Sequence, residues 1–170
     1  MDSPKLNFYE QRTIEWNSKN HSVVMIDQTL LPTRLEFAEC TSVPEIIDSI
    51  KTMKVRGAPA IGVAGAMGVA LSVVSSQGTT KTDLLEDVKR DSILLKDARP
   101  TAVNLSWGVD RAQHFLEENL PENFSKEEVT SQIVDFVQRL ADEDVQTNKK
   151  LSDIGARLFR TGDSVLTHCK

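Results

Sequence analysis

Between Pro59 and Val74 the chain carries no charge, and glycines recur three apart at Gly62, Gly65 and Gly68, interleaved with Ala64, Ala66 and Ala70. Glycine lowers helix propensity, yet small residues at this spacing share one side of a helix and let another backbone come close. A helix with no polar face must be covered all round, so the remaining chain has to be built against it. Polar residues from Ser75 to Thr80 follow directly, which favours a folded interior over a membrane-embedded dimer. The glycine spacing is read as helix packing, since the chain has neither a P-loop nor a Gly-x-Gly-x-x-Gly run.

Upstream of this helix the residues read as strands. Thr13 to Trp16, Ser22 to Asp27 and Thr33 to Phe37 are short runs rich in β-branched or aromatic residues, divided by polar turns around Asn17 to Asn20 and by Leu31-Pro32. That spacing predicts a small antiparallel meander. From Ser42 the signals become helical: Ser42, Pro44 and Glu45 have the arrangement of a capping box, and Ile46, Ile47 and Ile50 supply a buried side. Helices are predicted from Pro59 to Val74, from Asp83 to Leu95, and after Pro100, where Leu105, Val109, Ala112 and Leu116 form one apolar stripe opposite Asn104, Trp107 and Arg111. Ser125 to Glu128 forms a second capping box before the stripe of Val129, Ile133, Val137 and Leu140. The polar run Asp142 to Asp144 is read as an interruption, with helix resuming through Val145, Leu151 and Ile154 until Gly155 and Gly162 break it. Ser164 to His168 reads as a buried strand of the kind that opens a parallel α/β sheet. The expected class is α+β, a small N-terminal antiparallel β-meander followed by a helical bundle.

Bulk properties narrow the function. A chain of 170 residues can bury the core of one ordinary domain, and 39% hydrophobic with 26% charged residues is not the composition of a disordered tail. A net charge of −5 argues against a general binder of nucleic acid or anionic membrane. Any phosphate site must then be a local positive pocket. No window approaches the roughly 20 apolar residues of a bilayer span, and the start, with Asp2 and Glu10, has no apolar signal-peptide core. Cys40 and Cys169 lie far apart, which fits free thiols in a reducing compartment, the cytoplasm by default and the nucleus as an alternative. Asp142-Glu143-Asp144 lacks the histidine or glycine-loop pattern of a metal site and is read as solvated helix surface. No metal or organic cofactor is expected.

Two runs share one device. In Arg56-Gly57-Ala58-Pro59 and Arg99-Pro100-Thr101-Ala102 an arginine stands at or just before a proline that can open a helix, where free N–H groups and the positive dipole end attract anions. On residue chemistry alone Arg56 is equally well an ordinary surface arginine. Arg99 is equally well a cation ending the preceding helix. Cys169, at the end of Leu166-Thr167-His168-Cys169, is by itself a residue type most often buried as a small hydrophobe.

Met53 to Gly62, Ala98 to Trp107 and Gly162 to Cys169 together resemble the methylthioribose-1-phosphate isomerase family, within the translation initiation factor 2B α/β/δ-like superfamily. The similarity runs from about Trp16 to Cys169, with all three motifs in the family's order. It implies an aldose–ketose isomerase of methionine salvage that converts 5-methylthioribose 1-phosphate to 5-methylthioribulose 1-phosphate. It also implies that Arg56, Gly57, Ala58 and Arg99 bind the sugar phosphate, and that Cys169 is catalytic. Family members continue through a Rossmann-like domain that carries the general-acid aspartate, and the full-length form is expected to be a homodimer. Residues 1–161 are thus expected to form one domain and 162–170 the first strand of a truncated second one, in a chain with little activity alone. Alternatives are a ribose 1,5-bisphosphate isomerase and a non-catalytic regulatory subunit of the initiation factor 2B type. His168 neighbours Cys169 but points to the opposite face of a strand, so a Cys–His dyad is not expected. Asn104 and Trp107 are candidates for shaping the pocket, with core packing the commoner role for a helix tryptophan.

Overall fold

The computed structural model describes residues 12–166. A three-stranded antiparallel sheet, β1 (Ile14–Asn17), β2 (Ser22–Ile26) and β3 (Phe37–Cys40), is followed by five helices: α1 (Val43–Lys51), α2 (Ala58–Ser75), α3 (Lys81–Asp97), α4 (Val103–Asn119) and α5 (Lys126–Ala156). The α+β class expected from the sequence is therefore the class observed.

The central helix is α2. Every residue from Ile61 to Val73 is buried, and α1, α3, α4, α5 and the sheet pack around it. Its 18 residues are apolar and long enough to come near a bilayer span, which corrects the expectation that no window would approach one. The covering is supplied by the protein's own helices. Ser72 and Ser76 near its C-terminal end donate hydrogen bonds to Asp91 and Asp87 on α3, both at 2.7 Å, so the few polar groups of α2 are satisfied from a neighbour.

Several boundaries differ from the sequence reading, each for an identifiable reason. The third strand is Phe37–Cys40 rather than Thr33 to Phe37. Its register sets Cys40 opposite Val23 and Ala38 opposite Met25, which places small residues beside two fully buried ones and turns Phe37 outward. Thr33 to Glu36 instead follow a turn in which the Arg34 N–H donates to the Leu30 carbonyl. Ser42 does start α1 but makes no side-chain cap. Glu45 reaches one residue further back, accepting from the Thr41 N–H at 2.6 Å and from its hydroxyl at 3.1 Å. At α5 the expected cap holds, with the Ser125 hydroxyl accepting from the Glu128 N–H.

The expected interruption at Asp142 to Asp144 is absent, and α5 runs unbroken to Ala156. Carboxylates on the flank of a helix find partners without disturbing its backbone: Asp142 pairs with Arg12 at 2.6 Å, and Asp144 accepts from Asn148 one turn on. Beyond α5, Gly162 at φ 98° closes a turn in which the Arg160 N–H donates to the Asp163 carboxylate. Among the described residues, 164–166 have no strand partner, and Leu166 is 99% exposed. A strand needs a neighbour for its backbone, so these three do not show the buried strand expected there. The remainder of that segment, including His168 and Cys169, lies outside the described residues.

Candidate functional site

Helices α2 and α4 cross most closely near their first turns, and two glycines make that possible. A Cβ on Gly108 would overlap the Gly62 carbonyl, and one on Gly62 would stand 2.8 Å from the Asn104 carbonyl oxygen. Gly65 receives Leu105 and Val109 of α4 one turn along, whereas Gly68 faces Leu95 of α3. The glycine spacing read as helix packing therefore does that, and at its first position the approach is backbone to backbone. The consequence is positional. The N-terminal ends of α2 and α4 are pinned side by side.

Neither of these two ends is capped by a side chain. The α2 N-cap is Gly57, whose φ of 87° is one that glycine adopts without strain, and Pro59 sits in the first turn as expected. The α4 N-cap is Ala102, reached through a turn in which the Ala102 N–H donates to the Arg99 carbonyl at 2.9 Å. Pro100 therefore belongs to this turn and does not open the helix, a correction to the second half of the arginine–proline device. Helices α3 and α5 have hydroxyl caps, Thr80 and Ser125, and acidic first turns, whereas α2 and α4 have neither. Their leading N–H groups and dipole ends are left for something else to satisfy.

A cavity of 410 Å³ lies where the two ends meet. Arg56, Gly57 and Ala58 line it from one side, and Arg99, Thr101, Ala102, Val103 and Asn104 from the other, with Met53 and Ile61 between. The four predicted substrate-binding residues are thus brought to one cavity. The Arg56 backbone is held by Gln28, whose side-chain amide donates to the Arg56 carbonyl at 3.3 Å. Among the described residues neither Arg56 nor Arg99 has a carboxylate within 4.0 Å, although six other lysines and arginines do. Two guanidinium groups without a carboxylate partner among the described residues and two uncapped helix ends give this cavity a chemistry suited to an anion in an otherwise acidic protein. Among the described residues that line it, none is an aspartate, glutamate, histidine or cysteine. Cys169, the predicted catalytic residue, lies outside the described residues.

A groove adjoins the cavity and shares Val103 and Asn104 with it. Trp107 lines this groove at 48% exposure, so it is not the core residue that a helix tryptophan usually is. Arg111 lies over its ring, 5.4 Å from the centroid. Asn104 lines both spaces. Sequence reasoning did not single out Gly108, Met53 or Thr101. Gly108 had a readable signal, a small residue one helical turn after Asn104, but its partner could not be read without the crossing.

Known proteins share this fold. The crystal structure of 5-methylthioribose 1-phosphate isomerase from Pyrococcus horikoshii superposes with a TM-score of 0.78 at 38% identity, over 87% of this chain and 40% of that one. The structure of translation initiation factor eIF-2B, subunit delta, from Archaeoglobus fulgidus gives 0.79 at 39% identity, over 89% and 43%. A Bacillus cereus protein named 5-deoxyribose 1-phosphate isomerase is 33% identical over 156 residues, 92% of this chain and 44% of its own length. The chain spans less than half the length of the relatives it matches. Residues 54–170, which include both arginine runs, match the initiation factor 2 subunit family, and the chain belongs to that family.

Proposed function

We propose that this chain carries the phosphate-binding part of a site for ribose 1-phosphates, and that it serves an aldose–ketose isomerase acting on 5-methylthioribose 1-phosphate. The observation that carries this reading is the convergence of Arg56, Arg99 and two uncapped helix ends on one cavity. A phosphomonoester dianion is the ligand such a set fits best. Two guanidinium groups can hold it through charge-assisted hydrogen bonds while the backbone N–H groups at Ala58 and Val103 face it. The names of the relatives supply the sugar.

The reaction demands more than binding. The anomeric oxygen of a ribose 1-phosphate is esterified, so the ring cannot open spontaneously to an aldehyde, and an acid must protonate the ring oxygen. General acid catalysis of that kind contributes about 10²–10⁴-fold. In this reading Arg56 and Arg99 fix the phosphate and thereby place C1 and C2, and Cys169 assists hydrogen movement between them. A second reading, a non-catalytic sensor of sugar phosphates, is favoured by the likeness to the initiation factor subunit and uses the same cavity.

Titration of the 170-residue chain with ribose 1-phosphate, followed by NMR or calorimetry, tests the site. Arg56→Ala and Arg99→Ala should each weaken binding by roughly 2–5 kcal/mol, the range for removing one side of a desolvated charge pair. Unchanged affinity in both variants would overturn the assignment. Association of the chain with initiation factor 2 would support the second reading.

A further inference from the structure

The loop that carries Arg56 into α2 is gripped by a residue from the far side of α1. Gln28 stands just after β2, in a short 3₁₀ turn that Asp27 caps by accepting from the Thr29 N–H at 3.0 Å and from its hydroxyl at 2.6 Å. The Gln28 N–H donates to the Lys54 carbonyl at 2.9 Å, and its side-chain amide donates to the Arg56 carbonyl at 3.3 Å. Between these two contacts Val55 is fully buried, and its N–H donates to the Ser49 carbonyl. The loop is thus anchored as far as Val55 by backbone and core.

The Arg56–Gly57 peptide that follows has less support. Among the described residues no other donor reaches the Arg56 carbonyl, and the Gly57 N–H has no acceptor. This peptide is trans, so its C=O and N–H point in opposite directions. A carbonyl directed at Gln28, which does not line the arginine cavity, turns the N–H toward the side where Gly57 does line it. Half a turn of this one peptide would reverse the pair. Gly57, at φ 87°, does not resist such a rotation, because glycine is as free at negative φ as at positive. The reversed peptide would set a carbonyl oxygen against an anion.

We infer that Gln28 is a positioning residue for the anion site: it holds the Arg56–Gly57 peptide in the orientation that offers the ligand an N–H instead of a C=O. The inference rests on the reading of the arginine cavity as a phosphate site. Gln28 acts through the Arg56 carbonyl and not on the ligand. The role calls for a neutral donor of this length, since an ionised glutamate would set oxygen against oxygen and methionine has no N–H to give. Without the contact the loop keeps its anchors at Lys54 and Val55, the peptide samples both orientations, and apparent affinity falls with the fraction that remains competent.

The test is a titration of the 170-residue chain, and of its Gln28→Met and Gln28→Glu variants, with inorganic phosphate, read by backbone amide shifts. Gln28→Met should weaken phosphate binding by about three- to tenfold, the equilibrium value of one neutral hydrogen bond, and Gln28→Glu by more. Before phosphate is added, the Gly57 amide of both variants should differ in shift from the parent, and at saturation it should converge on the parent's bound position, because the ligand selects the same orientation. Unchanged affinity in both variants would overturn the inference and leave the arginine site standing. Weakened binding with a Gly57 amide that matches the parent before phosphate is added would also overturn it, since Gln28 would then act on the fold at large. Failure of the parent chain to bind phosphate would overturn the phosphate site and the inference with it.

Discussion

At Ser76 one hydroxyl ties the end of α2 to α3. It donates to Asp87 at 2.7 Å and accepts from the Gly78 N–H at 3.0 Å, while Arg90 donates to the other Asp87 oxygen at 2.7 Å. The hydrogen bond from Ser76, and after it the one from Arg90, hold the Asp87 carboxyl below the ordinary aspartate value. A carboxylate with a depressed folded-state pKa stabilises the fold above its unfolded pKa, and that contribution disappears as pH falls through the folded value. Ser76→Ala should therefore lower stability at neutral pH, with the difference from the parent shrinking as pH falls from about 5 to about 2. Urea unfolding across that range measures it. A difference that stayed constant with pH would refute the linkage.

Among the elements, the α2–α4 pair matters most, because it both closes the core and sets the site. Gly108→Ala would drive a methyl group into the Gly62 carbonyl, where no flexible side chain can yield. Overpacking of this kind costs about 1–3 kcal/mol, and the helices must part to relieve it. The expected result is a lower melting temperature together with weakened phosphate binding, although Gly108 does not line the cavity. Gly155 is the control. It lies near the end of α5 with nothing within 4 Å of a built Cβ, so Gly155→Ala should stabilise by up to about 1 kcal/mol through helix propensity. Thermal melts of both variants decide the matter, and destabilisation by Gly155→Ala would count against the open surface described there.

At the scale of the whole molecule, the proposed binding groups have no acid among the described residues that line their cavity. The carboxylates nearest in role are elsewhere engaged: Asp110 pairs with Lys96 at 2.8 Å, and Glu143 and Asp144 belong to the adjoining groove. Binding without a contribution specific to the transition state does not raise the chemical rate. The 170-residue chain should accordingly bind sugar phosphate but convert 5-methylthioribose 1-phosphate to the ketose far more slowly than a full-length relative. Side-by-side assays measure this. Turnover within tenfold of the relative would overturn it and direct attention to Asp144 or Asp110 as the acid.

Much of this protein is local and could be read from sequence. The apolar run of α2, the stripe of α4, the Ser125 cap and the arginine runs each depend on residues within a few positions of one another, and the interactions that produce them act at that range. Where local chemistry was ambiguous the sequence misled: Leu35 and Phe37 alternate like a strand, but pairing with β2 selected Phe37–Cys40, and a run of carboxylates in α5 looked like a break although side chains on a helix flank leave its backbone hydrogen bonds intact. The site belongs to the tertiary structure. Arg56 and Arg99 are separated by the whole of α2 and α3, and they reach one cavity because Gly62 and Gly108 let two helix backbones touch, a contact that packing decides and no short stretch of sequence contains.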